Sequence, residues 1–420
     1  MADAEVTETG ARAAAGTGTA PRAGSRTAGA WASLRRGWAR LPESLREAII
    51  PYAVARGVVL GALGMAHFIV DRTHPAAPGV AARVNSGLLA WDAGWYETIA
   101  RVGYGALGSQ SLRFFPAVPL LAHALAWVPG LGDGPALVLL ANVAALAATA
   151  MLYVLVRRET GRAAVARRAV WVLSLLPAAF VLVLGYAESL LLVLAVGCFL
   201  ALRPPARPTD GAGAPVNRPH FAVAGVLAFA AALTRPIGVL LFLAVAAEVI
   251  RWWPRLGREE RVAGIGAVVA PFVGLVAFLA WAKHTVHDWW APLRVQLQNT
   301  HHGGLADPFV TLYDDVKGLA HHHVGTALHV PWVLLALAML LVCWRRLPAP
   351  YTLFSAAVLA TAVSGANLDS FERYALGAFP LSIAAALLLT ESQIERVVLT
   401  VLSAGLAGYT LLAFLNISVP

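Results

Sequence analysis

The sequence predicts an all-α polytopic membrane protein with about 11–12 transmembrane helices. Three observations carry that reading. Of its 420 residues, 59% are hydrophobic and only 13% are charged, and mean hydropathy is +0.68, whereas roughly a quarter of a soluble globular chain is charged. The apolar residues form runs of about 15 to 24, the length of helices crossing a hydrocarbon core roughly 30 Å thick, and lack the alternation of a transmembrane β-barrel. The excess charge of +9 lies in short arginine-rich loops beside those runs. That is the positive-inside pattern of a membrane protein and not the footprint of nucleic-acid binding.

Residues 1–47 read as a disordered basic cytoplasmic tail, rich in Ala, Gly, Thr and Arg, with no signal-peptide apolar core. A single multispanning domain follows over 48–416. Its first span, about 48–70, leads to a first outer loop at 71–113. There WDAGWYETIARVGYG places Trp91, Trp95, Thr98, Ile99 and Val102 at helical spacing, which predicts an amphipathic helix lying along the membrane surface. Further spans are expected near 133–156, 169–184, 187–202, 221–233, 239–252, 262–282, 329–344, 350–366, 374–390 and 397–416, giving 11 in all. The segment 114–127 reads as a half-inserted helix, because the arginine loops at 203–218, 251–261 and 345–346 then all fall inside; counting it as a crossing gives 12. A second large outer loop occupies 283–328. Some spans are short, since 13 residues reach only about 20 Å. Their connecting turns at 185–189 and 234–238 should then dip into the membrane, and irregular backbone at that depth lines a cavity. No fixed-period repeat is present.

Chemistry-bearing residues stand out against this background. Asp92, between two tryptophans, is the candidate general base, with partial desolvation expected to raise its pKa; the alternative is a solvated helix residue. Glu97 lies well round the helix and forms no dyad with it. Glu188, Arg235 and Arg373 sit at the outer ends of short apolar spans, where ionisable groups are costly. The cations suit phosphate, unless Arg373 only pairs with Asp369. The second large loop holds His284, His287, His301, His302, His321, His322 and His323 without a fixed metal-binding spacing. Gly103, Gly105 and Gly108 spell GxGxxG outside any βαβ unit, so no dinucleotide site is implied. Cys198 and Cys343 lie in apolar spans and offer no disulfide framework. Only two of the 32 basic residues are lysines, which points to a GC-rich bacterial source.

The series WDAGWYETIARVGY, RFFPAVPLLAHAL, GYAESL, LTRPIG and ERYALGAFP, running in this order from residue 91 to 380, resembles the PIG-V family of GPI mannosyltransferases and its bacterial relatives within the GT-C glycosyltransferases. Asp92 matches that family's first-loop acid. Phe115, Pro116 and Pro119 match its FFPxxP pattern, Glu188 its YxES pattern, and Arg373 and Tyr374 its RY pattern. The resemblance implies a GT-C-like bundle that transfers mannose from a polyprenyl-phosphate donor on the extracytoplasmic face. It also implies that no nucleotide-sugar site is present. Trp91, Trp95, Tyr96, Arg113, Glu188, Arg235, Arg373 and Tyr374 are the expected substrate contacts beside Asp92. The acceptor would be a lipid, a glycan or a protein. A single WD stands where some GT-C enzymes carry a paired DxD, leaving a divalent cation optional. The rival reading is a transporter or lipid flippase, which would carry midplane charges in full-length spans and an inverted repeat.

Overall fold

The computed structural model describes residues 37–73, 79–204, 218–296, 306–320, 329–365, 368 and 370–417. The chain divides into two units, Met1–Arg46 and Glu47–Pro420. In the first, the described residues form a helical turn at 37–40 and the start of helix α1 (Glu43–Thr73); the rest of the expected basic tail lies outside the described residues.

In chain order the remaining helices are α2 (Val80–Ser86), α3 (Asp92–Val102), α4 (Ala117–Ala126), α5 (Asp133–Thr160), α6 (Ala163–Leu175), α7 (Glu188–Leu202), α8 (Phe221–Thr234) and α9 (Leu241–Trp252). They continue with α10 (Arg258–Val286), α11 (Ala291–Gln296), α12 (Pro308–Ala320), α13 (Val330–Arg346) and α14 (Ala349–Val363), and end with α15 (Phe371–Leu376), α16 (Pro380–Leu388) and α17 (Ser392–Phe414). None of the described residues lies in a strand. The fold is all-α, and among the described residues five segments are long and apolar enough to cross a membrane: α1, α5, Pro236–Arg255, α10 and α17. These coincide with the spans expected at 48–70, 133–156, 239–252, 262–282 and 397–416. The other expected spans are shorter helices or broken ones. The 169–184 segment is α6 followed by a 3-10 turn at Pro177–Leu182, and 374–390 divides between α15 and α16. Within 114–127, α4 has 10 residues, about 15 Å of rise.

Proline sets the breaks. Pro177 opens the 3-10 turn after α6, and Pro236 pushes Arg235 out of the helical region (φ −156°, ψ 150°), so α8 ends at Thr234. Close packing rests on small residues: a Cβ on Gly225 of α8 would lie 2.9 Å from the Ala267 Cα of α10, and one on Gly274 of α10 would lie 2.7 Å from the Phe229 carbonyl oxygen. The two backbones therefore touch, as small residues permit between membrane helices. The main core surrounds α7, where Phe199 packs on Tyr351 (ring centroids 4.8 Å) and edge-on to Phe379 (5.2 Å).

The first outer loop departs from the expected stripe. Trp91 precedes α3 with φ +59° rather than lying on it, and Val102 is exposed. Of that stripe only Ile99 is buried on α3, where it joins Ala93, Tyr96 and Ala100 on the face turned into the protein. Small residues are the reason, since α3 approaches the turn at Gly185 so closely that a Cβ added there would lie 3.4 Å from the Ala93 Cβ.

Candidate active site

Five charged side chains from four distant stretches of sequence meet at the N-terminal end of α7. Asp92, the first residue of α3, accepts from Arg113 (Oδ1, 3.2 Å) and from Arg373 (Oδ2, 2.6 Å). Glu188, the first residue of α7, accepts through Oε1 from both Arg235 and Arg373. Arg373 thus bridges the two carboxylates, with Arg113 at the Asp92 end of the chain of ion pairs and Arg235, turned out by Pro236, at the Glu188 end. A carboxylate at a helix start is also favoured by the helix dipole.

Aromatic rings frame the charges. The Arg373 guanidinium lies over Tyr186 (4.6 Å), Arg235 over Tyr374 (5.1 Å) and Arg113 over Phe114 (4.7 Å). Phe114 stacks on Trp95 and takes Tyr96 edge-on. Trp91 faces away from the cluster, donating its indole N–H to the Ala413 carbonyl at 3.0 Å beneath Arg83. Glu97 packs against Gly134 at the start of α5. In the FFPxxP segment, Phe115 is buried against Phe278, Pro116 caps α4 and Pro119 is buried within it.

Asp92 is not the raised-pKa acid that its position between tryptophans implies. Burial alone would push its carboxyl up, but the charges of Arg373 and Arg113, with the Arg373 hydrogen bond, outweigh burial and hold it below the usual carboxylate range. The expected pairing of Arg373 with Asp369 falls on a residue outside the described set; the pairings seen are with Asp92 and Glu188.

Residues missed in the sequence hold this arrangement. The Asp92 backbone N–H donates to the Tyr186 hydroxyl (3.3 Å). Arg56, inside α1, donates to the Leu182 carbonyl (2.9 Å) and to Asn142 Oδ1 (3.0 Å), while Asn142 donates to the Val183 carbonyl (2.9 Å). With the Gly185 N–H donating to Leu88 (3.0 Å), these bonds satisfy irregular backbone that would otherwise be costly between apolar helices. A lone arginine within an apolar span was the available signal for Arg56. Beside Arg373, Glu372 binds the buried His329 (2.8 Å) and the Tyr409 hydroxyl (3.1 Å). The second large outer loop also reaches the site, since Gln296 of α11 donates to the Arg113 carbonyl at 3.0 Å.

A narrow, partly open cleft of about 20 Å³ adjoins the cluster, lined by Glu188, Arg235, Arg373 and Tyr374 with Leu191 and Ile237. Its donor set does not fit a divalent cation. Both Asp92 oxygens and Glu188 Oε1 are engaged by guanidinium groups, and three cations surround two carboxylates. Among the described residues no three His, Cys, Asp or Glu side chains group as metal ligands. His284 and His287 are exposed, and the remaining histidines of that loop lie outside the described residues.

No protein-family model matches the sequence, and no curated protein sequence matches it. Among solved structures, the Archaeoglobus fulgidus oligosaccharyltransferase in complex with zinc and sulfate aligns at 12% identity over 72% of this chain and 44% of its own, with a TM-score of 0.39. The oligosaccharyltransferase AglB from the same organism, in complex with an inhibitory peptide and a dolichol-phosphate, aligns at 11% identity over 72% and 47%, with a TM-score of 0.41. The chain spans less than half the length of these proteins, and similarity at that level transfers neither activity nor ligand.

Proposed function

We propose that the protein is a membrane glycosyltransferase that moves a sugar, mannose by the family resemblance, from a polyprenyl-phosphate donor to an acceptor hydroxyl on the extracytoplasmic face. The observation that carries this reading is the convergence of Asp92, Arg113, Glu188, Arg235 and Arg373 on one cluster beside a cleft, in a chain whose ordered motifs resemble those of the PIG-V family.

The chemistry follows from the charges. The acceptor oxygen attacks the anomeric carbon, the bond from that carbon to the phosphate oxygen breaks, and its electron pair leaves with the polyprenyl phosphate. Arg235 and Arg373, with Arg113, oppose the charge that gathers on the departing phosphate, which planar guanidinium groups bind through paired N–H donors. Asp92, ionised and the more exposed of the two carboxylates, takes the acceptor proton. Its low pKa makes it a modest base, and the good leaving group makes strong basicity unnecessary. Trp95, Tyr96 and Tyr374 supply the walls around the sugar, and Trp91 anchors the start of α3 against α17. The acceptor is a lipid, a glycan or a protein hydroxyl.

The test is transfer by the purified full-length protein from a panel of polyprenyl-phosphate sugars to added glycolipid and glycan acceptors. Sugar-dependent release of polyprenyl phosphate with formation of a glycosylated product is expected. Movement of the lipid across a bilayer without product would favour a transporter.

A further inference from the structure

Glu188 is 6% exposed, and while its Oε1 serves Arg235 and Arg373, its Oε2 has no hydrogen-bond partner among the described residues. A buried carboxylate oxygen without a donor bears an uncompensated desolvation cost, so it marks a place where a ligand donates. The cleft that Glu188 lines offers about 20 Å³, room for one water-sized group and far too little for a sugar ring. A hydroxyl fits it. A cation is disfavoured by the guanidinium groups on the other oxygen of the same carboxylate.

We infer that Glu188 Oε2 receives the hydroxyl on the sugar carbon next to the anomeric centre, so that Glu188 reads the 2-hydroxyl of the donor. The inference rests on the reading of the cluster as the phosphate end of a glycosyltransferase site. Arg235 and Arg373 bind the neighbouring Oε1, so a phosphate held by them lies beside Oε2. In a glycosyl phosphate the 2-hydroxyl is borne by the carbon adjacent to the phosphate-bearing one, whereas hydroxyls at C3, C4 and C6 are further off. An acceptor hydroxyl must approach the anomeric carbon from the face opposite the leaving phosphate, which puts it on the wrong side for this oxygen. A hydrogen bond to the 2-hydroxyl also strengthens as positive charge develops on the ring. Glu188 therefore acts on turnover as well as on the choice of sugar.

The test compares kcat/KM of the full-length protein in lipid nanodiscs for polyprenyl-phosphate mannose and its 2-, 3-, 4- and 6-deoxy analogues. The 2-deoxy donor should fall roughly 10- to 150-fold further than the others, the effect of losing one charge-assisted hydrogen bond. In Glu188→Gln that gap should shrink towards the other analogues. Equal use of the 2-deoxy and 3-deoxy donors by the wild-type protein overturns the inference, and this comparison needs no variant to fold. So does an undiminished gap in a folded Glu188→Gln. A wild-type protein that transfers from none of these donors, while using another polyprenyl-phosphate sugar, instead overturns the mannose reading; one that uses no polyprenyl-phosphate sugar overturns the glycosyltransferase reading beneath the inference.

Discussion

Helix α7 carries a buried charge cluster at each end, and the two are built differently. Its 15 residues separate them by about 22 Å. At the C-terminal end, Arg203 grips Glu159 through two bonds (2.6 and 2.9 Å) and reaches Glu248 (2.8 Å), which Arg251 also contacts (3.3 Å). Two cations meet two carboxylates there, and every carboxylate oxygen has a donor. Around Glu188, three cations meet two carboxylates, one oxygen lacks a donor, the neighbouring backbone is irregular and a cleft opens beside it. The first cluster is complete in itself and ties α5, α7 and α9 together. The second leaves Glu188 Oε2 without a donor among the described residues, and that difference is why we propose a binding site there and a staple at the other end.

Breaking each cluster should therefore cost different things. The largest effect is expected for Asp92→Asn, which keeps the shape but removes the proton acceptor: turnover should fall about 10²- to 10⁴-fold with thermal stability and donor binding little changed. Steady-state kinetics beside a melting curve measure both. Arg203→Ala should do the reverse, costing about 3 to 5 kcal/mol of stability by stranding Glu159 and leaving the fully buried Glu248 with Arg251 alone, while the molecules that fold keep the wild-type KM for the donor. A loss of turnover in Arg203→Ala without a loss of stability would erase the distinction between the clusters.

The smallest effect concerns pH. Because Arg373 and Arg113 hold the Asp92 carboxyl below the usual range, Asp92 stays ionised as pH falls past the ordinary aspartate value and activity is lost only below it. Arg113→Gln removes one of the two charges and should move the acid limb of the pH–rate profile upward. An unmoved limb would mean that a different group is being titrated.

Much of the site was legible in the sequence because ionisable residues between apolar runs are expensive enough to stand out. Glu188, Arg235 and Arg373 stood out that way, Asp92 stood out as an acid between two tryptophans, and the shortness of the flanking spans made the turn at 234–238 readable as well. Their mutual pairing was not legible, since span lengths do not determine which helices become neighbours. The bridging position of Arg373 needed the packed bundle. Arg56 carried the same signal as the residues that were found and was passed over, being inside a span rather than at its end. Tyr186 lay in a recognised motif but has no charge to draw notice. The face of α3 was misread because bulky tryptophans weigh more in a hydrophobic pattern than alanines, whereas close packing between membrane helices favours small residues.

The central claim is that the cluster at Glu188 holds the donor phosphate, and equilibrium binding of polyprenyl phosphate to the purified protein tests it most directly. Arg235→Ala and Arg373→Ala should each weaken that binding by about 1.5 to 3 kcal/mol, the contribution of a charge-assisted hydrogen bond. Lysine at either position should restore only part of the loss, because it lacks the planar fork. Wild-type affinity in both folded alanine variants would contradict the claim and leave the cluster as a second staple on α7.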